Sequence, residues 1–288
     1  MTSQPKNART ENDPAVQRRL ARSGLGVVSR HCAEELISRL DMLAVTPSQV
    51  ACLGWDPVVI DALRSRWPKS SLTVVESNPE LARHARKSAR RALRRPVFEV
   101  EATPLDHLPE REPKFDFAVA NLTLARSATP DAALAAIARS LAPSAGLVIS
   151  HPGPDTLREL RDAWANDSHV HTASFADMHD LGSAFARHGF TESVLNVERL
   201  TFEYRTLDRL WQDLTDQGAR NSEPGRRPTL TGTNRFRQMC SRLKNAEGGV
   251  SITVELIYAQ TWRANSVSAD RNLPQNEVRI DLDQLTRR

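Results

Sequence analysis

The chain predicts an α/β fold: a mostly parallel, seven-stranded sheet with helices on both faces. Three observations carry this. Short apolar runs near 50–53, 72–75, 97–100, 115–121 and 147–150 alternate with helical patterns. Stretches of that size between strands need crossover helices, which sets the strands parallel. Two longer runs, 194–204 and 250–264, close the sheet; in the second, Val250, Ile252, Val254, Leu256 and Tyr258 alternate with other residues, as in a strand with one half-exposed face.

In chain order, residues 1–14 are polar and expected to form a disordered arm. A single domain is expected over 15–264, with a helical cap inserted at about 205–249, and 265–288 is expected to be a flexible tail. Helical period is clear from His31 to Leu43, while Gly24 and Gly26 interrupt the stretch before it. Gln49 to Arg83 then reads strand, turn, helix, strand and the start of another helix. Gly54 closes the first strand, and Glu76 stands at the tip of the second, about 20 residues on. A Gly-containing exit turn followed by a strand-tip carboxylate outlines a nucleotide-type cofactor site, because the acid can accept both ribose hydroxyl protons. The turn departs from a GxGxG loop: Asp56 and Val58 hold two glycine positions, with Pro57 between them.

The helix 79–95 carries Leu81, Ala85, Ala89 and Leu93 on one face and seven basic residues from Arg83 to Arg95 around the rest. It reads either as a solvated outer face or as a surface for an acidic partner. No aromatics interleave with the arginines, which argues against single-stranded nucleic acid. The third strand ends on Glu101 and the fourth, FDFAVAN, on Asn121. A helix at 132–141, a turn at Pro143 and Gly146, and a fifth strand ending before His151 follow. Gly54, Glu76, Glu101, Asn121 and His151 are thus expected along one sheet edge, where open parallel sheets bind ligands. Beyond it, helices at 156–165, 178–188 and 207–217, and one ending at Leu243, complete the pattern.

Composition narrows the class. The 288 residues contain no apolar stretch near the ~18 needed for a membrane span, and the polar N-terminus lacks a secretory segment, so the cytoplasm is the expected compartment. Cys32, Cys52 and Cys240 imply neither a disulfide framework nor a zinc site, and no metal-ligand spacing stands out. The net charge of +4 is a weak pointer to an acidic partner.

The order of elements resembles the class I S-adenosylmethionine-dependent methyltransferases, a Rossmann-like fold. The segments LVISHPGPDTLRELRDAW, FADMHDLGSAFARHGF, VLNVERLTFEY, LTDQGARN, LTG and ELIYAQTW narrow the resemblance to the malonyl-acyl-carrier-protein O-methyltransferases of biotin synthesis, and to related hydroxylases that assemble respiratory complex I. The likeness covers about residues 33–263. It implies S-adenosylmethionine as cofactor and an acyl carrier protein as partner, met through the basic helix 83–95. Leu53 and Gly54 match the cofactor loop, whereas Cys52 replaces its acid. Glu76 and Ser77 match the ribose position, Glu101 and Ala102 the adenine side, and Asn121 and Leu122 the Asn-Leu after the fourth strand. Residues 22–31, RSGLGVVSRH, lack the Tyr expected to close the site.

Methyl transfer to a carboxylate needs orientation and a dry pocket, with no strong base. Arg199 is the candidate clamp for the acceptor carboxylate, with a structural ion pair as the other reading. His151 and His169 are candidates for binding its carbonyl or carboxylate, or structural histidines. The remodelled turn leaves two functions open: a methyltransferase, or a catalytically inactive relative kept as a binding, assembly or regulatory partner.

Overall fold

The computed structural model describes residues 26–90, 97–108, 114–127, 129–216, 227, 229–245 and 248–265. The expected arm 1–14, and the expected tail beyond Asn265, lie outside these residues.

The first described helix, α1 (Val27–Asp41), starts directly after Gly26 and buries Cys32, Ala33, Leu36 and Leu40. Strand β1 (Gln49–Leu53) leads into α2 (Pro57–Arg66), and β2 (Ser71–Val75) into α3 (Pro79–Ala89). Then come β3 (Glu99–Glu101), β4 (Phe115–Asn121), α4 (Pro130–Ser140) and β5 (Leu141–Pro152). The second half adds α5 (Arg158–Ala163), α6 (Met178–Arg187), β6 (Phe190–Tyr204), α7 (Leu207–Asp216), α8 (Thr233–Leu243) and β7 (Val250–Arg263).

The seven strands form one sheet in the order β3-β2-β1-β4-β5-β7-β6. All pairs are parallel except those made by β7, which runs against β5 and β6. The chain winds outward from β1 to β3 and then restarts at β4 on the other side of β1. That reversal opens a crevice between the tips of β1 and β4. Helices α1, α2 and α3 bury one sheet face through Leu36, Ile60, Ala85 and their neighbours. Helices α4 and α6 bury the other through Leu134, Ile137 and Phe185.

Several boundaries differ from the sequence pattern. Strand β5 begins at Leu141 and runs through the expected turn, with a register shift opposite Phe115 and Phe117. Gly146 serves there as a close-packing residue: a Cβ on it would strike the rings of Phe117 and Trp262. Strand β3 begins at Glu99, two residues late. Strand β6 begins at Phe190, four residues early, and takes up an irregularity between Thr191 and Val194. Helix α5 starts only after Leu157, whose φ of 59° breaks the helical path. Of the basic helix, the part through Ala89 is seen, and 91–96 lie outside the described residues.

The register also creates an overhang. Pro152, the last residue of β5, pairs with Leu256, but β7 begins six positions earlier at Val250, opposite Tyr204 of β6. At ~3.4 Å per residue, the β6–β7 ribbon projects about 20 Å beyond the β5 tip. Helices α7 and α8 lie between these two strands in sequence, so they extend the domain on the side of the strand tips.

Candidate functional site

The crevice is built from the first turn outward. Gly54 has φ +97° and donates its N–H to the Val75 carbonyl at 2.7 Å. A Cβ there would come within 2.5 Å of the Thr123 Oγ1, so both conformation and space select glycine. The next N–H, of Trp55, donates to Glu76 Oε2 at 2.6 Å, and Asn78 N donates to Glu76 Oε1 at 2.8 Å. These bonds hold the Glu76 carboxylate, 5 % exposed, at the tip of β2 beside the β1 turn.

Asp56, Pro57 and Val58, which depart from a GxGxG loop in the sequence, form a helix start. Asp56 caps α2, its Oδ1 accepting from Val58 N at 3.0 Å and Val59 N at 3.2 Å. Pro57 sits in the first turn, where its missing N–H has no helical partner to lose. Val58 is in α2 and is not among the residues with positive φ.

The second oxygen of Asp56 spans the crevice. Asn121 Nδ2 donates to Asp56 Oδ2 at 2.6 Å and to the Ser29 carbonyl of α1 at 2.8 Å. Asn121 Oδ1 accepts from Ser150 Oγ at 2.7 Å, and Ser150 Oγ accepts from Leu122 N at 2.9 Å. Leu122 itself adopts φ 55°, a left-handed conformation rare for leucine and common at ligand sites. Burial raises the Asp56 carboxyl above its ordinary 3.8, opposed by the hydrogen bonds from Asn121, Val59 and Val58.

Next to this network, on the α1 side, Glu198 Oε2 accepts from the Tyr258 hydroxyl at 3.0 Å and contacts His31 Nε2 at 2.9 Å. Cys32 lies 3.9 Å from the same hydroxyl, and burial pushes its thiol up to about 12. Burial likewise raises the Tyr258 phenol. Neither group is a nucleophile at neutral pH.

The fold therefore brings Gly54, Glu76 and Asn121 to one crevice. Glu101 joins through its backbone, its carbonyl accepting from Glu76 N at 2.9 Å, while its carboxylate pairs with Lys114. Ser77 is half-buried beside Glu76 and Ala102 is exposed after Glu101.

The three candidate acceptor residues lie apart from one another. His151 and Ser150 are successive strand residues, so they point to opposite faces. His151 faces the α6 side, its Nδ1 2.7 Å from the Pro152 carbonyl and its ring edge-on to Phe175, in a cavity shared with Leu134 and Leu181. Arg199 is on the overhang. Its Nη2 donates to Glu255 Oε1 at 2.7 Å and its Nε to Asp155 Oδ2 at 3.2 Å. His169 contacts Asp167 at 2.9 Å in a cluster completed by Arg227, Arg235 and His171, whose ring stacks on Trp164.

That cluster gives a pH prediction. The contact with His169 and the charge of Arg227 hold the Asp167 carboxyl well below its ordinary 3.8. A lowered native value contributes stability that is complete above the ordinary value and is lost as pH falls toward the native one. In Asp167→Asn the steep acid limb of a melting-temperature profile below about pH 4 should flatten relative to wild type. Superimposable acid limbs would show that Asp167 carries no such linkage.

Sequence reasoning missed Ser29, His31, Ser150, Glu198 and Tyr258. Strand alternation was the available signal for two of them: Ser150 had to face away from His151, and Tyr258 sits in the period-two pattern of β7.

A sheet of this order, with a glycine turn and an adjacent strand-tip acid at its switch point, defines the class I, Rossmann-like methyltransferase fold. Comparison with known proteins agrees. The family described as a methyltransferase domain matches residues 26–193. The malonyl-[acyl-carrier protein] O-methyltransferase of Laribacter hongkongensis is 32% identical over 247 residues, covering 82% of this chain and 83% of that one. Its counterpart from Halorhodospira halophila is 30% identical, covering 92% and 90%. A methyltransferase structure from Bacillus halodurans superposes with a TM-score of 0.59 at 11% identity, covering 80% of this chain and 99% of that one. The chain belongs to the methyltransferase-domain family, and its fold is that of the S-adenosylmethionine-dependent class.

The crevice residues fit that cofactor at the ribose end. A carboxylate has about four acceptor positions, and the backbone uses two on Glu76, so two remain for vicinal hydroxyls. The glycine at 54 lets the Thr123 side chain close against the β1 turn. At the other end Asp56 offers a buried carboxylate, complementary to a cationic group. No helix among the described residues is long and apolar enough to cross a membrane.

Proposed function

We propose that the protein transfers a methyl group from S-adenosylmethionine to the free carboxylate of a malonyl group on an acyl carrier protein, a step of biotin synthesis. The observation that carries the reading is the buried Glu76 carboxylate, tied to the Trp55 N–H beside the Gly54 turn at the sheet's switch point. The substrate is inferred from the relatives of matching length. S-adenosylmethionine supplies an electrophilic methyl group when bound.

The chain's own residues have three tasks. Glu76 holds the ribose, with Ser77, Glu101 and Ala102 along the nucleoside. Asn121, fixed by Asp56, Ser29 and Ser150, sets the floor of the crevice at its reacting end. The acceptor carboxylate is met on the α1 side by the hydroxyl of Tyr258 and by His31, both now held by Glu198. Arg199, divided between Glu255 and Asp155, acts through the shape of the overhang, and His151 and His169 support its neighbouring walls. Closing α1 over the strand tips excludes water, which strengthens each of these polar contacts.

An acidic carrier has two basic surfaces to meet. Arg86 and Lys87 of α3 stand in the last turn of that helix, about 11–12 Å along its axis from its start at the strand tips. Helix α8 contains no acidic residue and carries Arg235, Arg237 and Arg242, with Phe236 and Leu230 exposed beside them. We favour α8 on the cap over α3, because it lies on the side of the site.

The test is a methylation assay with S-adenosylmethionine and malonyl-carrier protein, read by mass spectrometry of the carrier. The expected product is the methyl ester, with KM raised when Arg235 and Arg237 are reversed to Glu and unchanged when Arg86 and Lys87 are. No ester from wild type that binds the cofactor would overturn the substrate reading.

A further inference from the structure

A cavity of about 310 Å³ lies between the start of α1, the overhanging end of β6 and helix α7. It is separate from the crevice. Val27, Val28, Phe202 and Tyr204 supply apolar lining, and Arg205 and Arg209 stand with it beside Glu203 and Asp213. Val27 is 60% exposed, although it is an apolar residue on a helix that is otherwise well packed. Arg209 is paired with Asp213 at 3.4 Å. Arg205 makes no ion pair among the described residues.

The cavity and the crevice share two elements, β6 and α1. Alternation along β6 puts Glu198, Leu200, Phe202 and Tyr204 on one face. Four residues of strand, about 13 Å, separate the Phe202 lining from Glu198, which is bonded to Tyr258 and His31. On the α1 wall the spacing is shorter: Val28 is followed directly by Ser29, whose carbonyl accepts from Asn121. The cavity and the crevice thus adjoin neighbouring residues of α1 and β6. The cavity's volume is at the lower limit of the roughly 300–1,000 Å³ of small-molecule pockets. That suits a narrow chain better than a second nucleotide.

Resting on the carrier-bound substrate proposed above, we propose that this cavity receives the phosphopantetheine arm by which the carrier holds its acyl group. The methyl-bearing pantoyl and methylene segments lie against Val27, Val28, Phe202 and Tyr204. Arg205 meets the phosphate, for which guanidinium geometry is suited. The arm enters from the cap and delivers its acyl end past Glu198 to the crevice.

The experiment uses the full chain with two probes, 4′-phosphopantetheine and pantetheine, in ligand-observed NMR titrations. Wild type is expected to bind the phosphorylated probe more tightly than pantetheine. Arg205→Ala should weaken the first by about tenfold or more and leave the second unchanged. The filling substitution Val28→Phe should weaken both, with S-adenosylmethionine affinity retained as a check on folding. No binding of either probe by wild type at millimolar concentration, or equal affinity of wild type and Arg205→Ala for the phosphorylated probe, would overturn the assignment. The methylation assay separates the two claims. Ester formation with KM unchanged in Arg205→Ala and Val28→Phe defeats the cavity assignment alone, whereas probe binding without ester formation defeats the malonyl substrate alone.

Discussion

Replacing Glu76 with Ala is expected to lower the affinity for S-adenosylmethionine by at least about 100-fold. The magnitude follows from two hydrogen bonds between ribose hydroxyls and a carboxylate, each ~1.5–3 kcal/mol, at 1.4 kcal/mol per tenfold. Stability should fall as well, because Trp55 N and Asn78 N both donate to this carboxylate and would be left without it. Each such buried donor costs about 1–3 kcal/mol when orphaned. Glu76→Gln separates the two effects. Its amide keeps one acceptor oxygen for the backbone but presents an NH₂ group where the other oxygen accepts. Calorimetric titration and thermal unfolding on both variants make the comparison. An unchanged dissociation constant in Glu76→Ala would remove the ribose role and, with it, the main structural support for a cofactor at this crevice.

The strand tips were legible in the sequence because each is local. An apolar run ends, a polar residue follows, and the parallel order places those residues at one edge whatever the rest of the chain does. Gly54, Glu76 and Asn121 were found in this way. The walls of the site were not, since they are made by long-range contacts. Asn121 reaches Ser29, 92 positions earlier, and His31 reaches Glu198, 167 positions later. No local pattern marks the start of α1 as a lid. The role of the turn after β1 is hidden for a different reason. Compared with glycine loops, Asp56-Pro57-Val58 looks like lost flexibility and an added charge. Taken by itself, Asp followed by Pro before an apolar helix is a helix start, with a capping side chain and a proline in the first turn. The turn is short and α2 begins at Pro57, so Asp56, Pro57 and Val58 are consistent with one another and carry no positive-φ strain.

The two roles of Asp56 fix what its substitution should do. One oxygen caps α2, and replacing such a cap with Ala costs about 0.5–2 kcal/mol. The other accepts from Asn121, whose buried amide would lose an acceptor at about 1–3 kcal/mol more. Asp56→Ala is therefore expected to destabilise the domain by about 2–4 kcal/mol. Asp56→Asn keeps an oxygen for the cap but sets an NH₂ group against the Asn121 NH₂, so it should cost about 1–3 kcal/mol. Rotating the Asn121 amide gives no relief, because its oxygen already serves Ser150 and its nitrogen Ser29. Exchanging the pair, Asp56→Asn with Asn121→Asp, restores a donor facing an acceptor across the crevice. The double variant should recover part of the loss, with a coupling energy of about 0.5–3 kcal/mol. The pH dependence supplies an independent readout. Burial raises the Asp56 carboxyl above 3.8, so between that value and the higher native one the folded protein keeps a proton that the unfolded chain has released. Stability from this group is therefore greatest at low pH and declines as pH rises through that window, which is the opposite sign to Asp167. Denaturant unfolding of the four species across pH measures both quantities. Strictly additive single effects, together with a wild-type profile retained in Asp56→Asn, would show that the crevice is not held by this pair; coupling and a flattened profile would show that the carboxylate–amide bridge between Asp56 and Asn121 holds the tips of β1 and β4 together.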